Sequence, residues 1–259
     1  MRRTMIKDLG EKVELRNPLL IEGFPGLGMV GEIAVQYMIE ELKPSPMAEL
    51  YSPFFPFHVL VNDGGELRLL RAEFYYWKNP KENLPDLILL KGDAQPQTLE
   101  GQYEVSSAIL SYAKSKGVRR LIALGGYEAY PEGEPKVIAA STDKDFLKEA
   151  LLKGCILGQV GNPILGLAGV ILGIAPFYGI QGLALLAETP GYAPDPKGSK
   201  GLLRILEGLL QIPFNYGRID KEIAKAEIAI NRANEVYERA KAIERSLSLK
   251  GEERVTYIL

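Results

Sequence analysis

Hydrophobic residues in this chain fall into short unbroken runs separated by longer stretches of helical period. Leu19-Leu20-Ile21 is the first clear run, and Ile33, Ala34, Tyr37 and Met38 follow it at the three-and-four spacing of a buried helix face. The pattern predicts a strand over 18–22 and a helix over 27–42, stopped by Lys43-Pro44-Ser45-Pro46. A short strand is expected at 47–51. The runs 57–61 and 67–76 flank Asn62-Asp63-Gly64-Gly65, which signals a hairpin. Further strands are predicted at 87–90, 120–124 (ending at Gly125-Gly126-Tyr127), 137–141, 156–160 and 182–187. Helices are predicted at 98–116, 143–152, 163–178 and 200–211, the last after a long turn over 190–196. Residues 1–17 are charged and read as an irregular or edge-strand start. Strands alternating with helices imply an α/β fold with a mixed, mostly parallel central sheet and helices on both faces.

From Ile219 the period changes. Ile219, Ile223, Ala226, Ile230, Ala233, Tyr237, Ala240 and then Ile243 or Glu244 and Leu247 alternate steps of four and three, a heptad seam sustained over about four repeats. The chain thus divides into an α/β core over 1–213, a long amphipathic helix over 214–250 and a tail over 251–259. The seam admits two readings: packing on the chain's own sheet, or pairing with another long helix in the same or another subunit. Alanines along the seam permit close approach and favour pairing.

Two glycine-rich stretches punctuate the core. Gly26-x-Gly28-x-x-Gly31, at a strand-to-helix junction, matches the dinucleotide fingerprint. That motif also wants an acid about 20 residues on; Glu40 and Glu41 fall within the helix and Glu49 lies somewhat far. The alternative is structural, with Gly28 and Gly31 letting the helix approach the sheet and Pro25 presetting the turn. The pattern G-x-P-x-L-G-x-x-G recurs at Gly161-Asn162-Pro163-Ile164-Leu165-Gly166-Leu167-Ala168-Gly169. A nucleotide motif has no reason to recur with its proline in step, so Gly23, Pro25, Gly26, Gly28, Gly31, Gly161, Pro163, Gly166 and Gly169 read as equivalent structural joints. They are expected to lie near each other at one end of the sheet.

Composition narrows the chemistry. A formal net charge of −2 argues against a nucleic-acid footprint. The single cysteine, Cys155, sits among apolar neighbours and reads as a buried, inert thiol. One histidine, His58, excludes a multi-histidine metal site and reads as a hydrogen-bonded strand-edge residue. The apolar region 164–186 holds Pro176 and several glycines, and reads as a buried helix and strand rather than a membrane span. No secretory signal is apparent. A cytoplasmic protein without membrane, metal, cofactor or nucleic-acid partner is expected.

The stretches Gly23–Gly31, Gly125-Gly126-Tyr127, Gly161-Asn162-Pro163, Leu165–Gly169 and Glu188-Thr189-Pro190-Gly191-Tyr192 come in the order seen in the proteasome assembly chaperone two family, which the chain resembles in its archaeal branch. The resemblance implies a fold similar to purine nucleoside phosphorylases, no established catalytic site, and oligomers that handle proteasome subunits. Some members end in a hydrophobic–Tyr–any motif that docks between α-ring subunits. Here the chain departs from that motif, since Tyr257 stands two residues from the end after Thr256; Val255, Tyr257, Ile258 and Leu259 are an apolar terminus that either contacts a partner or folds back as an edge strand. The expected function is a non-enzymatic, homo-oligomeric proteasome assembly chaperone or proteasome-interacting scaffold. Its expected partners are proteasome α subunits or the core particle. The alternative is a nucleoside- or nucleotide-binding enzyme using Asp93, Arg120 or Glu128 at strand ends.

Overall fold

Every position of Leu19–Gly23 is buried, as a strand covered on both faces requires, and this strand lies inside a nine-stranded sheet. The computed structural model describes residues 1–10, 13–229, 232 and 239–241. In chain order the strands are β1 (Met5–Asp8), β2 (Leu19–Gly23), β3 (Ser45–Tyr51), β4 (Val59–Val61), β5 (Leu67–Leu69), β6 (Ala72–Trp77), β7 (Leu87–Gly92), β8 (Arg120–Glu128), β9 (Val137–Ser141), β10 (Ile156–Leu157) and β11 (Gln181–Thr189). The helices are α1 (Val30–Leu42), α2 (Leu99–Ser115), α3 (Lys144–Leu152), α4 (Gly166–Ile174) and α5 (Pro196–Leu210).

The main sheet runs β1-β3-β6-β7-β2-β8-β11-β9-β10, and β4 and β5 form a separate hairpin. Its centre, β7-β2-β8-β11, is parallel. The flanks β1, β3, β6 and β9 join it antiparallel, with β10 parallel to β9. Alternate residues of the central strands face opposite layers. On one face Leu20, Ile88 and Leu121 pack with Val105 and Ile109 of α2 and Ile171 of α4. Helices α1 and α5 pack together and cover the sheet from the other side, α1 over β2 and β8, α5 over β11.

Several boundaries differ from the sequence expectation, each for a physical reason. The hairpin forms at its predicted turn, closed by Gly65 N–H donating to Asn62 O at 2.8 Å. Its second strand does not run to residue 76: the chain turns at buried Leu70, Arg71 N–H binds Asp93 Oδ2 at 2.9 Å, and β6 enters the main sheet. Strand β8 continues through Gly125 and Gly126 to Glu128, because the missing side chain of Gly126 leaves room for Leu27 O, 2.4 Å from where its Cβ would stand. Helix α5 begins at Pro196, not Lys200. Asp195 caps it through Gly198 N–H at 2.9 Å and Pro196 takes the first turn, where its missing N–H costs nothing. Strand β10 is only two residues long, and α4 starts at Gly166 rather than Pro163. Of the Phe54–Phe57 aromatic run, Phe55 belongs to the core and only Phe57 is fully exposed.

The chain divides into two units, Met1–Tyr216 and Gly217–Leu259. In the second, residues 217–229, 232 and 239–241 are helical. Ile219 is buried and Ile223 and Ala226 half-buried, while Lys221, Glu222 and Lys225 between them, and Ile228 after them, are exposed, an amphipathic pattern. Ala240 is exposed. Ile230, Ala233, Tyr237, Ile243, Glu244 and Leu247 of the seam, and Val255, Tyr257, Ile258 and Leu259 of the tail, lie outside the described residues. Among the described residues no helix is long and apolar enough to cross a membrane, and 164–186 divides between α4, a short 3-10 turn and β11.

Candidate functional site

The C-terminal ends of β2 and β8 and the loop after β7 line a pocket of about 440 Å³. Parallel α/β sheets place ligands at this end, in the crevice where neighbouring strands send their chains to opposite faces. The site has that topology: the chain leaves β2 toward α1 on one face and β7 toward α2 on the other. Both glycine turns line the pocket, the first through Gly26 and Leu27, the second from Pro163 to Gly166. The two stretches recognised by their shared pattern do meet.

Their backbones correspond at two positions. Gly28 and Gly166 both lie in the left-handed region, at φ 60° and 72°, where a side chain is strained. Gly31 and Gly169 are both closed to a side chain. A Cβ at Gly31 would stand 2.2 Å from Leu124 O of β8, and one at Gly169 would stand 1.9 Å from Ile164 O. Only the first is therefore a helix-on-sheet contact; the second packs its helix on its own turn. At Gly23 a Cβ would reach within 2.2 Å of Gly31 O. Gly26 is extended and a Cβ there would make ordinary contact with Gln95 Nε2 at 3.5 Å. Gly161 is left-handed but faces open space.

A residue the sequence did not mark joins the turns. Gln95, in the loop after β7, donates from Nε2 to Pro25 O at 2.6 Å and accepts from Leu167 N–H at Oε1, 3.0 Å away. The first turn is otherwise closed on itself and on α5: Met29 N–H donates to Gly26 O at 2.9 Å and Asp195 N–H to Gly28 O at 2.8 Å. A phosphate-binding turn instead aims its amides outward, and among the described residues no lysine or arginine lines this pocket.

The second unmarked residue is Glu22. It is 1% exposed, and it pairs in register with Leu90 on β7 and Ala123 on β8. Neither carboxyl oxygen has a hydrogen-bond partner among the described residues. Burial alone pushes its carboxyl up from 4.5 to about 8. An acid at the end of an otherwise apolar strand was the available signal.

The residues of the enzyme alternative are not gathered. Arg120 begins β8 and Glu128 ends it, about 26 Å apart at strand rise. Arg120 is engaged by Glu149 at 3.0 Å. Asp93 is half-buried, which would raise its carboxyl, but the Arg68 guanidinium and Arg71 N–H hold it below the usual range. Glu128 is exposed at the pocket mouth. His58 is exposed one residue ahead of β4, so it is not a satisfied edge residue of the main sheet. Cys155 is buried and its thiol is pushed up to about 11, the inert character expected. Among the described residues no cluster of His, Cys, Asp and Glu could hold a metal ion.

The chain matches a family model over residues 20–234, described as the PAC2 family. An uncharacterized protein of Methanocaldococcus jannaschii, MJ1210, is 34% identical over 233 residues, covering 88% of this chain and 89% of that one. The crystal structure of Pyrococcus furiosus PbaB, described as an archaeal proteasome activator, superposes with a TM-score of 0.86 at 34% identity, covering 90% of this chain and all of that one. Pyrococcus furiosus PbaA, described as an archaeal homolog of proteasome-assembly chaperone, matches in fold with a TM-score of 0.73 at 24% identity, over 98% of this chain. The expected family is the one found, and this chain belongs to the PAC2 family.

Proposed function

We propose that this chain is a non-enzymatic proteasome assembly chaperone or activator that works in the cytoplasm as a homo-oligomer. The observation that carries the reading is its 34% identity with PbaB across nearly the whole fold. The working parts are the core, expected over 1–213 and found to extend to Tyr216, the helix that follows from Gly217 rather than 214, and the tail over 251–259. In the tail, Tyr257 is the aromatic anchor, supported by Val255, Ile258 and Leu259, and it meets the proteasome α-ring or its unassembled subunits. A chain ending at Arg254 is expected to lose most capture of core particles in a pull-down. Equal capture by both chains removes the tail as the contact.

Self-association is supported by the hairpin. Val59 pairs with Leu69 and Val61 with Leu67, so these four side chains share one face, and all are exposed. The other face is used internally, with Leu60 packed on the core and Arg68 paired with Asp93. A two-stranded ribbon is marginal alone, and a second copy would cover its apolar side. Light scattering at tens of micromolar is expected to give a multiple of the chain mass, lowered by Val61→Asp with Leu67→Asp. A monomeric wild type ends the idea; an unchanged mass in the double variant moves the contact to the seam from Ile219 to Ala240.

A further inference from the structure

Glu22 is difficult to explain as a packing residue. Its neighbours in the sheet are apolar, both oxygens are buried and unpartnered, and a leucine would fill the site at lower cost. A native chain that retains such a group at the strand ends of a parallel sheet keeps it for something that enters. The pocket above it shows what could. Its walls are apolar at Phe24, Leu124, Ile164 and Leu186, and among the described residues its only ionisable groups besides Glu22 are Tyr127 and Glu128 toward the mouth. Gln95, the remaining polar side chain of the wall, already spends its amide on the two turns. The site is therefore apolar, acidic and without cationic groups, which disfavours phosphates, carboxylates and nucleotides and favours a positive group on a hydrocarbon stem.

We propose that this pocket binds an organic cation, an ammonium or guanidinium group carried on an apolar stem, and that Glu22 is the anion that receives it. Phe24 and Tyr127 supply aromatic walls for the stem and charge. As the cation enters, the Glu22 carboxyl gives its proton to solvent and the carboxylate pairs with the charge in its place. The other groups on this side of the sheet do not compete for the cation. Helix α4 carries no titratable residue. On α2, Glu104 is taken by Thr4 N–H at 2.9 Å and Tyr112 by Asp8 at 2.6 Å, while Glu100, Tyr103 and Lys114 face solvent. The cation can be a free small molecule or a lysine or arginine side chain of a partner protein; the recognition chemistry is the same.

Calorimetry on the full chain with butylammonium and butylguanidinium tests this, with butanamide as the neutral control. A short peptide holding one arginine between glycines, with both ends blocked, serves as the second arm. Saturable binding of a cation, absent for butanamide, is expected. Glu22→Gln is expected to weaken it roughly tenfold to hundredfold, as loss of a charge-assisted bond does. Near neutral pH, titrations in two buffers of different ionisation enthalpy should show about one proton released per cation bound. This count needs only the wild-type chain and stands whether or not Glu22→Gln folds. Tighter binding of the peptide than of free butylguanidinium identifies a protein side chain as the source, and the reverse identifies a small molecule; either supports the site. No saturable binding by any cation, equal binding of butanamide, absence of proton release, or unchanged affinity in a folded Glu22→Gln chain overturns it.

Discussion

Replacing Glu22 by glutamine is expected to make the chain more stable in alkaline solution and to leave it little changed in acid. The folded chain keeps the Glu22 proton up to about pH 8, whereas the unfolded chain releases it near 4.5. Between those values unfolding releases a proton, so the wild type loses stability as pH rises, by up to roughly 1.4 kcal/mol per unit. Below 4.5 the carboxyl is protonated in both states and the cost is absent; above 8 it is ionised in both and the cost is fully developed. Several kcal/mol is the upper bound, reduced by any local relaxation that admits water. All other side chains are common to both chains, so the difference between them isolates position 22. Denaturant midpoints measured across this range should diverge with rising pH. Parallel curves for wild type and Glu22→Gln would show that the carboxyl titrates normally and is not desolvated.

The second large effect is at Gly31. Alanine in place of glycine inside a helix ordinarily adds up to about 1 kcal/mol of stability. Here the new Cβ would stand 2.2 Å from Leu124 O, and that oxygen belongs to a central strand that cannot give way. Overpacking of this kind costs about 1–3 kcal/mol, and more where backbone must move, so the clash wins. Gly31→Ala is expected to lower the melting temperature by several degrees or to prevent folding. Gly133→Ala, where nothing lies within 4 Å, is the matched control and should change stability by no more than about 0.5 kcal/mol. Equal melting of the two variants would show that α1 does not sit on β8 as described.

What could be read from the chain alone depended on whether the cause was local. The strands and helices of the core were visible because apolar periodicity is a property of neighbouring residues, and Asp143 and Thr98 mark their helix starts by capping chemistry within three positions. The glycine turns were visible because the pattern occurs twice. Their meeting in one pocket was a guess from symmetry that the geometry supports, whereas Gly26 proved to have no steric need to be glycine. The extension of β8 past Gly126 was hidden, because a pair of glycines reads as a stop unless the passing Leu27 carbonyl is known. The start of α5 was hidden under four prolines and glycines that also spell a loop, although Asp195-Pro196 is a good cap and first turn. Glu22 is visible in the sequence as an acid after Leu19-Leu20-Ile21, but nothing local distinguishes it from the ordinary polar end of a strand. Gln95 had no signal at all, since its partners lie 70 and 72 positions away in opposite directions along the chain.

A single amide also sets the local stability of the rim. Pairing across the parallel centre joins positions as distant as Leu19 and Arg120, but each strand pair is held by a ladder of backbone hydrogen bonds. The rim is tied instead by the side chain of Gln95, through one bond to Pro25 and one to Leu167. Fewer bonds hold the rim than hold the strands, so it is expected to open at lower free energy, and amide exchange at Leu167 should report that opening before any central strand yields.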